Sequence, residues 1–243
     1  MKTAVITGTS YGIGKAIAGT LLDEGWKVYG LSRSKPTFAT EHFVWLQCDL
    51  SQPEQITQCL ARITEPAIDA LVSNAGVIYL EDTNELTQAS YEQTYSVNVL
   101  APMLLVSALQ DKIEQATIIT VSSVSDRIPE ATMALYCSSK AANTMYFNVL
   151  AQELKQAKVI TLLPDYVETP MLHSTMDSDK SFDWSSTIKP QDMATLGRGI
   201  IAGHVAVESG ANIIVITNKL KNDLISVEKL YGFNTDTKEL IRL

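Results

Sequence analysis

The sequence predicts an α/β fold, with a mostly parallel β-sheet covered by helices on both faces. Three observations carry this. Short apolar runs recur along the chain without polar alternation, as in strands buried on both sides. Long stretches of helical character separate them. A glycine-rich turn joins the first such run to the first helix. The 243 residues, 46% of them hydrophobic, suffice for one sizeable core, so residues 1–243 read as a single domain.

The elements follow in order. Lys2 to Thr7 (Lys-Thr-Ala-Val-Ile-Thr) reads as a short buried strand, Gly8 to Gly14 as a turn, and Lys15 to Glu24 as a helix ended by Gly25. Trp26 to Ser32 and Phe43 to Gln47 are the second and third strands. Ser51-Gln52-Pro53-Glu54 carries a capping-box pattern, a hydroxyl followed three residues later by a carboxylate with an early proline, and predicts a helix to about Ile63. Ile68 to Ser73, Ala116 to Ser122 and Val159 to Leu163 are strands four to six, and Asn212 to Thr217 is the last. Long helices are expected near Leu86–Leu109, Tyr136–Gln156 and Gln191–Ala206. Asp165 to Pro190 is the largest irregular stretch. Lys219 to Leu243 is a polar, mixed tail with no clear pattern.

Composition excludes several function classes. A net charge of -8 argues against nucleic acid or an anionic membrane as the main partner, while leaving room for a local basic phosphate pocket. The three cysteines, Cys48, Cys59 and Cys137, are odd in number and lack a CxxC, which points away from a disulfide framework and toward a reducing cytoplasm. Cys137 reads as helix packing. His42, His173 and His204 have no partners at metal-ligand spacing. Strand-like sequence begins at Lys2, so no leader is expected, and no apolar run approaches the ~20 residues that span a bilayer.

Two features carry chemistry. In Gly8-Thr9-Ser10-Tyr11-Gly12-Ile13-Gly14 the glycines let backbone approach a pyrophosphate, and the following helix offers free N–H donors and positive potential. The spacing is G-x-x-x-G-x-G rather than the common G-x-G-x-x-G. Tyr136 and Lys140 sit four residues apart, a spacing that stacks both on one helix face. An ammonium within ~4–6 Å of a phenol favours the phenolate, and is expected to bring the tyrosine below its usual pKa of about 10.

Thr7-Gly8-x-x-x-Gly12-Ile13-Gly14, Asp49, Asn74-Ala75-Gly76, Asn98, Ser123, Tyr136-x-x-x-Lys140, and Pro164 with Thr169 stand in one order. Together they resemble the short-chain dehydrogenase/reductase family in its compact single-domain subclass, over roughly two thirds of the chain. The resemblance implies a doubly wound (Rossmann) sheet of about seven strands that binds NAD or NADP. It makes Tyr136 the proton donor in carbonyl reduction and the base in alcohol oxidation. Lys140 would lower its pKa and hold the nicotinamide ribose. Ser123, thirteen residues before Tyr136 and preferred over Ser122 for that interval, would hydrogen-bond the reacting oxygen. Asn98 would anchor a water in a relay behind the lysine. The cofactor-facing set implied is Gly8, Ser10, Tyr11, Gly12, Ile13, Gly14, Ser32, Arg33, Asp49, Leu50, Asn74, Ala75, Gly76, Tyr136, Lys140, Pro164, Val167 and Thr169. Within it Asp49 would bond the adenine amine, Asn74 to Gly76 would wall the adenine side, and Thr169 would bond the carboxamide. It also implies a homodimer or homotetramer built through the helices near Leu86–Leu109 and Tyr136–Gln156.

The cofactor's 2′ position is read at the end of the second strand, where an acidic residue suits NAD and an arginine suits the NADP phosphate. Here Ser32 takes the acidic position and Arg33 follows, so NADP(H) is expected over NAD(H). Two departures stand out. Pro164-Asp165 replaces the family's usual Pro-Gly, placing a carboxylate near the nicotinamide edge, and Asn218-Lys219 follows the last strand where an Asp-Gly pair is common. Residues 165–190 should form a substrate lid. Met171, Leu172, His173, Met176, Phe182 and Trp184 suggest a partly apolar carbonyl substrate, such as a ketone or diketone. The leading reading is an NADPH-dependent carbonyl reductase. The alternatives are an NAD(P)+-dependent alcohol dehydrogenase working in the oxidative direction and a non-catalytic NADP-binding regulator.

Overall fold

The structure is a computed structural model that describes residues 1–217, 231–234 and 239–242. Seven parallel strands form one sheet: β1 (Thr3–Thr7), β2 (Lys27–Ser32), β3 (Phe43–Gln47), β4 (Ala70–Ser73), β5 (Thr117–Val121), β6 (Lys158–Pro164) and β7 (Asn212–Val215). Their spatial order is β3-β2-β1-β4-β5-β6-β7, and every pairing is parallel. This is the expected doubly wound arrangement. The order reverses between β1 and β4, so the chain leaves Thr7 and Ser73 in opposite directions and opens a crevice beyond the strands' carboxyl ends.

Helices cover both faces: α1 (Gly12–Asp23), α2 (Pro53–Leu60), α3 (Gln88–Tyr95), α4 (Ala101–Leu109), α5 (Ala134–Glu153), α6 (Pro170–Met176) and α7 (Pro190–Ile201). The period-two rule explains why the strands read as unbroken apolar runs. Val5, Leu71 and Ile118 join one core with Ile56, Leu105 and Phe147. Their neighbours Ala4, Ile6, Val72 and Ile119 join the other with Ile17, Leu21, Met193 and Ile200. Both faces are therefore dry, and each large side chain buried this way contributes ~1.5–3 kcal/mol.

Several boundaries shift. The first helix starts three residues earlier than expected, at Gly12, because the last part of the glycine turn is already helical. Gly25 follows the C-cap Glu24 with φ +78°, the left-handed conformation that ends a helix. Ser51 does not cap α2, whose N-cap is Gln52, without a side-chain bond. The Ser51 hydroxyl and amide both donate to Asp49 Oδ1, at 2.8 and 2.9 Å, so the nearer carboxylate outcompetes the helix end for this serine. The stretch Asp165–Pro190 is not wholly irregular. It contains α6, capped by Thr169, whose hydroxyl accepts from the Leu172 amide.

The long helix near Leu86–Leu109 is interrupted by a π-helical turn, Ser96–Leu100, between α3 and α4. Pro102 gives a physical reason for disorder in the ladder there. It has no N–H to offer the Asn98 carbonyl four residues back, and Asn143 Nδ2 donates to that carbonyl instead, at 3.0 Å.

In the tail, β8 (Tyr231–Asn234) and β9 (Glu239–Arg242) pair antiparallel. Asn218-Lys219 and the rest of the tail lie outside the described residues. Among the described residues no helix is long and apolar enough to cross a membrane.

Candidate active site

The crevice above β1 and β4 is built from the turn upward. Gly8 (φ +73°) and Gly12 (φ +64°) hold conformations that disfavour side chains, and a Cβ on Gly12 would meet Thr169 Cγ2 at 3.1 Å. Gly14 faces inward rather than toward the crevice, where a Cβ would stand 2.5 Å from both Asn74 Nδ2 and the Gly8 carbonyl. Asn74 ties this turn to the end of β4, with Nδ2 donating to the Thr7 carbonyl at 2.9 Å and its amide donating to Thr7 Oγ1 at 3.0 Å. At the N-terminus of α1, Tyr11 supplies no side-chain cap, and no acidic residue occupies the first turn. Free N–H donors thus meet a floor without side chains, which fits a pyrophosphate.

Gly8, Ser10, Tyr11, Gly12, Ile13, Ser32, Arg33, Asp49, Leu50, Asn74, Ala75, Gly76, Ser123, Tyr136, Lys140, Pro164, Val167 and Thr169 all line this one cleft. At the β2 end, Ser32 is buried and donates to the Ser34 carbonyl at 2.9 Å. Arg33 is exposed and also reaches a neighbouring depression lined by Gln47, Asp49, Gln55 and Gln58. Among the described residues it forms no ion pair.

The other end holds Ser123, Tyr136 and Lys140. Ser123 leaves β5, and its Oγ accepts from the Ser125 amide and donates to Ser125 Oγ, both at 3.1 Å. Ser122 also lines the cleft, and its hydroxyl donates to the Lys140 carbonyl at 3.1 Å and accepts from Thr144. Tyr136 and Lys140 share one face of α5, with the Lys140 ammonium 5.5 Å from the phenol ring centroid. Lys140 is 5% exposed and donates to the Val121 carbonyl at 3.0 Å. A Cβ on Gly76 would stand 3.4 Å from Lys140 Nζ and from Asn98 Oδ1, in ordinary contact with both, so Gly76 places these two groups side by side.

The pKa expectation for this pair is corrected. Burial pushes the Tyr136 phenol up to about 12, with the Ser123 hydroxyl acting in the opposite sense. Burial also pushes the Lys140 ammonium down to about 8, against a small opposing pull from Asp126. Desolvation is the largest cause of both shifts, and it moves the phenol opposite to the direction the i, i+4 spacing suggested.

Asn98 and Gly14 lie behind the cleft rather than on its wall. Asn98 is 1% exposed and fully engaged, accepting from the Val77 amide at 2.8 Å and donating to the Val77 carbonyl and Ser139 Oγ, each at 2.9 Å. It lashes α3–α4 to the segment after β4, directly behind Lys140.

Sequence reading missed Ser125 and Glu130. Glu130 lines the cleft, receiving Ser125 Oγ at 3.2 Å on one oxygen and the Tyr166 phenol at 2.8 Å on the other. Asp165 lines it too and accepts from the Tyr166 amide at 2.8 Å, while burial raises its pKa. No motif includes Glu130. Its place depends on a loop between β5 and α5 that only the fold brings to Tyr166. Beyond them a ladder of rings runs from Tyr166 to Phe182 (5.1 Å), Trp184 (4.9 Å) and His173 (4.3 Å, stacked). Among the described residues no group of three or more His, Cys, Asp or Glu is arranged to hold a metal.

Residues 2–180 match the family model described as short chain dehydrogenase. An uncharacterised oxidoreductase of Methylorubrum extorquens is 32% identical over 188 residues, covering 71% of this chain and 76% of that protein. A 3-oxoacyl-[acyl-carrier-protein] reductase of Vibrio cholerae is 28% identical over 74% of this chain and 79% of its own length. Among solved structures, a short chain dehydrogenase family protein from Francisella tularensis superposes with a TM-score of 0.82 at 22% identity. That match covers 88% of this chain and 97% of the other, and speaks for the fold.

Proposed function

Because the chain belongs to the short-chain dehydrogenase family of NAD(P)-dependent oxidoreductases acting on CH–OH and C=O groups, we propose that it is an NADPH-dependent reductase of a ketone or diketone. One observation carries the reading. Ser123, Tyr136 and Lys140 open on the same cleft as the glycine turn, with Arg33 at its far end.

The bound nicotinamide supplies the hydride. Ser123 and Tyr136 hold the carbonyl oxygen between two hydroxyls, and Tyr136 delivers its proton as charge develops there. Lys140 places a positive charge beneath the phenol and stabilises the phenolate left behind. The Val121 carbonyl holds the lysine in place, with Asn98 and Gly76 beside it. Ser32 and Arg33 favour the 2′-phosphate, since Ser32 removes a carboxylate that would repel it and Arg33 is free to grip it. Asp49, Leu50 and Asn74 to Gly76 shape the adenosine side, while Pro164, Val167 and Thr169 border the nicotinamide side. Residues 165–190 act as the substrate lid, stiffened by the ring ladder. The exposed apolar residues Tyr91 on α3, and Met145 and Val149 on α5, support pairing of these helices in a homo-oligomer.

The test is nucleotide consumption with NADPH and NADH in parallel, against ketones, diketones, quinones and aldehydes. The expected result is turnover with kcat/KM at least tenfold higher for NADPH. Preference for NADH would overturn the Arg33 assignment, and oxidation of alcohols alone would favour a dehydrogenase.

A further inference from the structure

We propose that Glu130, with Asp165 beside it, selects the substrate: a partly apolar carbonyl compound carrying a protonated amine or similar N–H donor, in preference to one carrying a carboxylate or phosphate. This rests on the carbonyl reductase reading and names the substrate class of the same cleft.

The argument begins with charge placement. Four formally charged side chains besides Asp49 line the cleft: Arg33, Lys140, Glu130 and Asp165. Arg33 belongs to the β2 end. Lys140 is buried beneath Tyr136 and committed to the Val121 carbonyl. The charge facing the space beyond Ser123 and Tyr136 is therefore acidic. Neither Glu130 nor Asp165 forms an ion pair among the described residues.

The placement of the Glu130 carboxylate is fixed from two sides. Ser125 holds one carboxylate oxygen and is itself bonded to Ser123, which sets the carboxylate two hydrogen bonds from the hydroxyl expected to hold the reacting oxygen. The Tyr166 phenol holds the other oxygen. Tyr166 in turn is held by the edge of Phe182 and by its own amide on Asp165. Each carboxylate oxygen accepts more than one donor, so Glu130 retains acceptor capacity after these bonds. Asp165 uses Oδ1 for the Tyr166 amide, and no described residue bonds its Oδ2. Met133, Met171, Leu172 and Met176 line the same region and supply an apolar surface for the substrate's body. An anionic group brought there meets like charge in a partly dry site, and a cationic one meets an unneutralised partner.

The experiment uses three aryl ketones on one scaffold, bearing a dimethylammonium, a methyl or a carboxylate substituent, with the full chain and NADPH. The expected order of kcat/KM is ammonium, methyl, carboxylate, with at least a hundredfold between the extremes. In Glu130→Gln, and separately in Asp165→Asn, the ammonium-to-carboxylate ratio should fall at least tenfold. Equal ratios in wild type and both variants, or a carboxylate preferred by wild type, would overturn the proposal while leaving the reductase reading intact. Calorimetric titration of the same ketones onto the NADPH complex separates the two failures. Charge-ordered binding that weakens in Glu130→Gln, without turnover of any ketone, would sustain the acidic wall and sink the reductase reading. Charge-blind binding would sink the wall.

Discussion

Burial separates the two residues at the centre of the proposed chemistry, holding the Tyr136 phenol protonated to about 12 and letting the Lys140 ammonium lose its proton near 8. On the proposed reading the proton donor is thus present throughout neutral pH, and the supporting charge is the first to be lost. For kcat/KM measured on NADPH, which reports the free enzyme, a plateau is expected below pH 8 and a decline above it. A decline that begins only above pH 10 would mean that Lys140 keeps an ordinary lysine pKa despite its burial. The same shift has a stability consequence. With its folded pKa lowered from 10.5, Lys140 binds fewer protons folded than unfolded, so its charge costs stability below pH 8 and the cost fades between pH 8 and 10.5. The cost is of order 3 kcal/mol, partly offset by the bond to Val121. Lys140→Met should therefore melt several degrees above wild type at pH 7, with the gap closing by pH 10. A variant that melts below wild type at pH 7 would show that the ammonium is solvated in a way its burial does not suggest. At this scale the Tyr136–Lys140 spacing was legible because helix geometry alone stacks residues four apart. The sign of the pKa shifts was not, because it depends on how deeply the start of α5 sinks against the end of β5, a property of neither segment by itself.

Elements were legible where local and tertiary preference agree. β1, β4, β5 and β6 are apolar at consecutive positions because both faces are covered, and their centres fell where the sequence put them. The Ser51 cap failed because Asp49 competes for the same hydroxyl and amide, a short-range bond that a spacing rule ignores. The π turn at Ser96–Leu100 had a visible signal, Pro102 four residues after Asn98, though the acceptor's new partner, Asn143, is 45 positions away. The glycine turn was read as a cofactor cradle throughout, yet its third glycine answers to packing. A methyl group at Gly14 would enter the space between the Thr7 and Gly8 carbonyls and Asn74. Gly14→Ala is predicted to destabilise the chain by about 1–3 kcal/mol in denaturant titrations and to weaken NADPH binding at least tenfold, since the turn must shift to accept it. Wild-type stability and affinity in this variant would contradict that packing role.

Across the whole molecule the cleft is polar in charge as well as in function. Arg33 marks the β2 end, and Glu130 and Asp165 mark the end toward the lid. The first was legible because the residues after a second strand have a fixed relation to the cofactor in a doubly wound sheet. The second was only half legible. Asp165 stood out as a replacement for an expected glycine, while Glu130 is delivered by a loop with no motif. Reversing the first end should reverse the cofactor. Ser32→Asp combined with Arg33→Ala is predicted to lower the NADPH-to-NADH ratio of kcat/KM at least tenfold, and an unchanged ratio would place 2′ recognition elsewhere.

The most direct measurement of the central claim compares wild type with Tyr136→Phe, recording ketone reduction and NADPH binding on the same preparations. The account predicts that NADPH still binds while turnover falls at least ~10²-fold, the usual size of a lost acid–base contribution. Turnover at the wild-type rate in Tyr136→Phe would contradict it, and would leave a cleft that binds the nucleotide without using the tyrosine for chemistry.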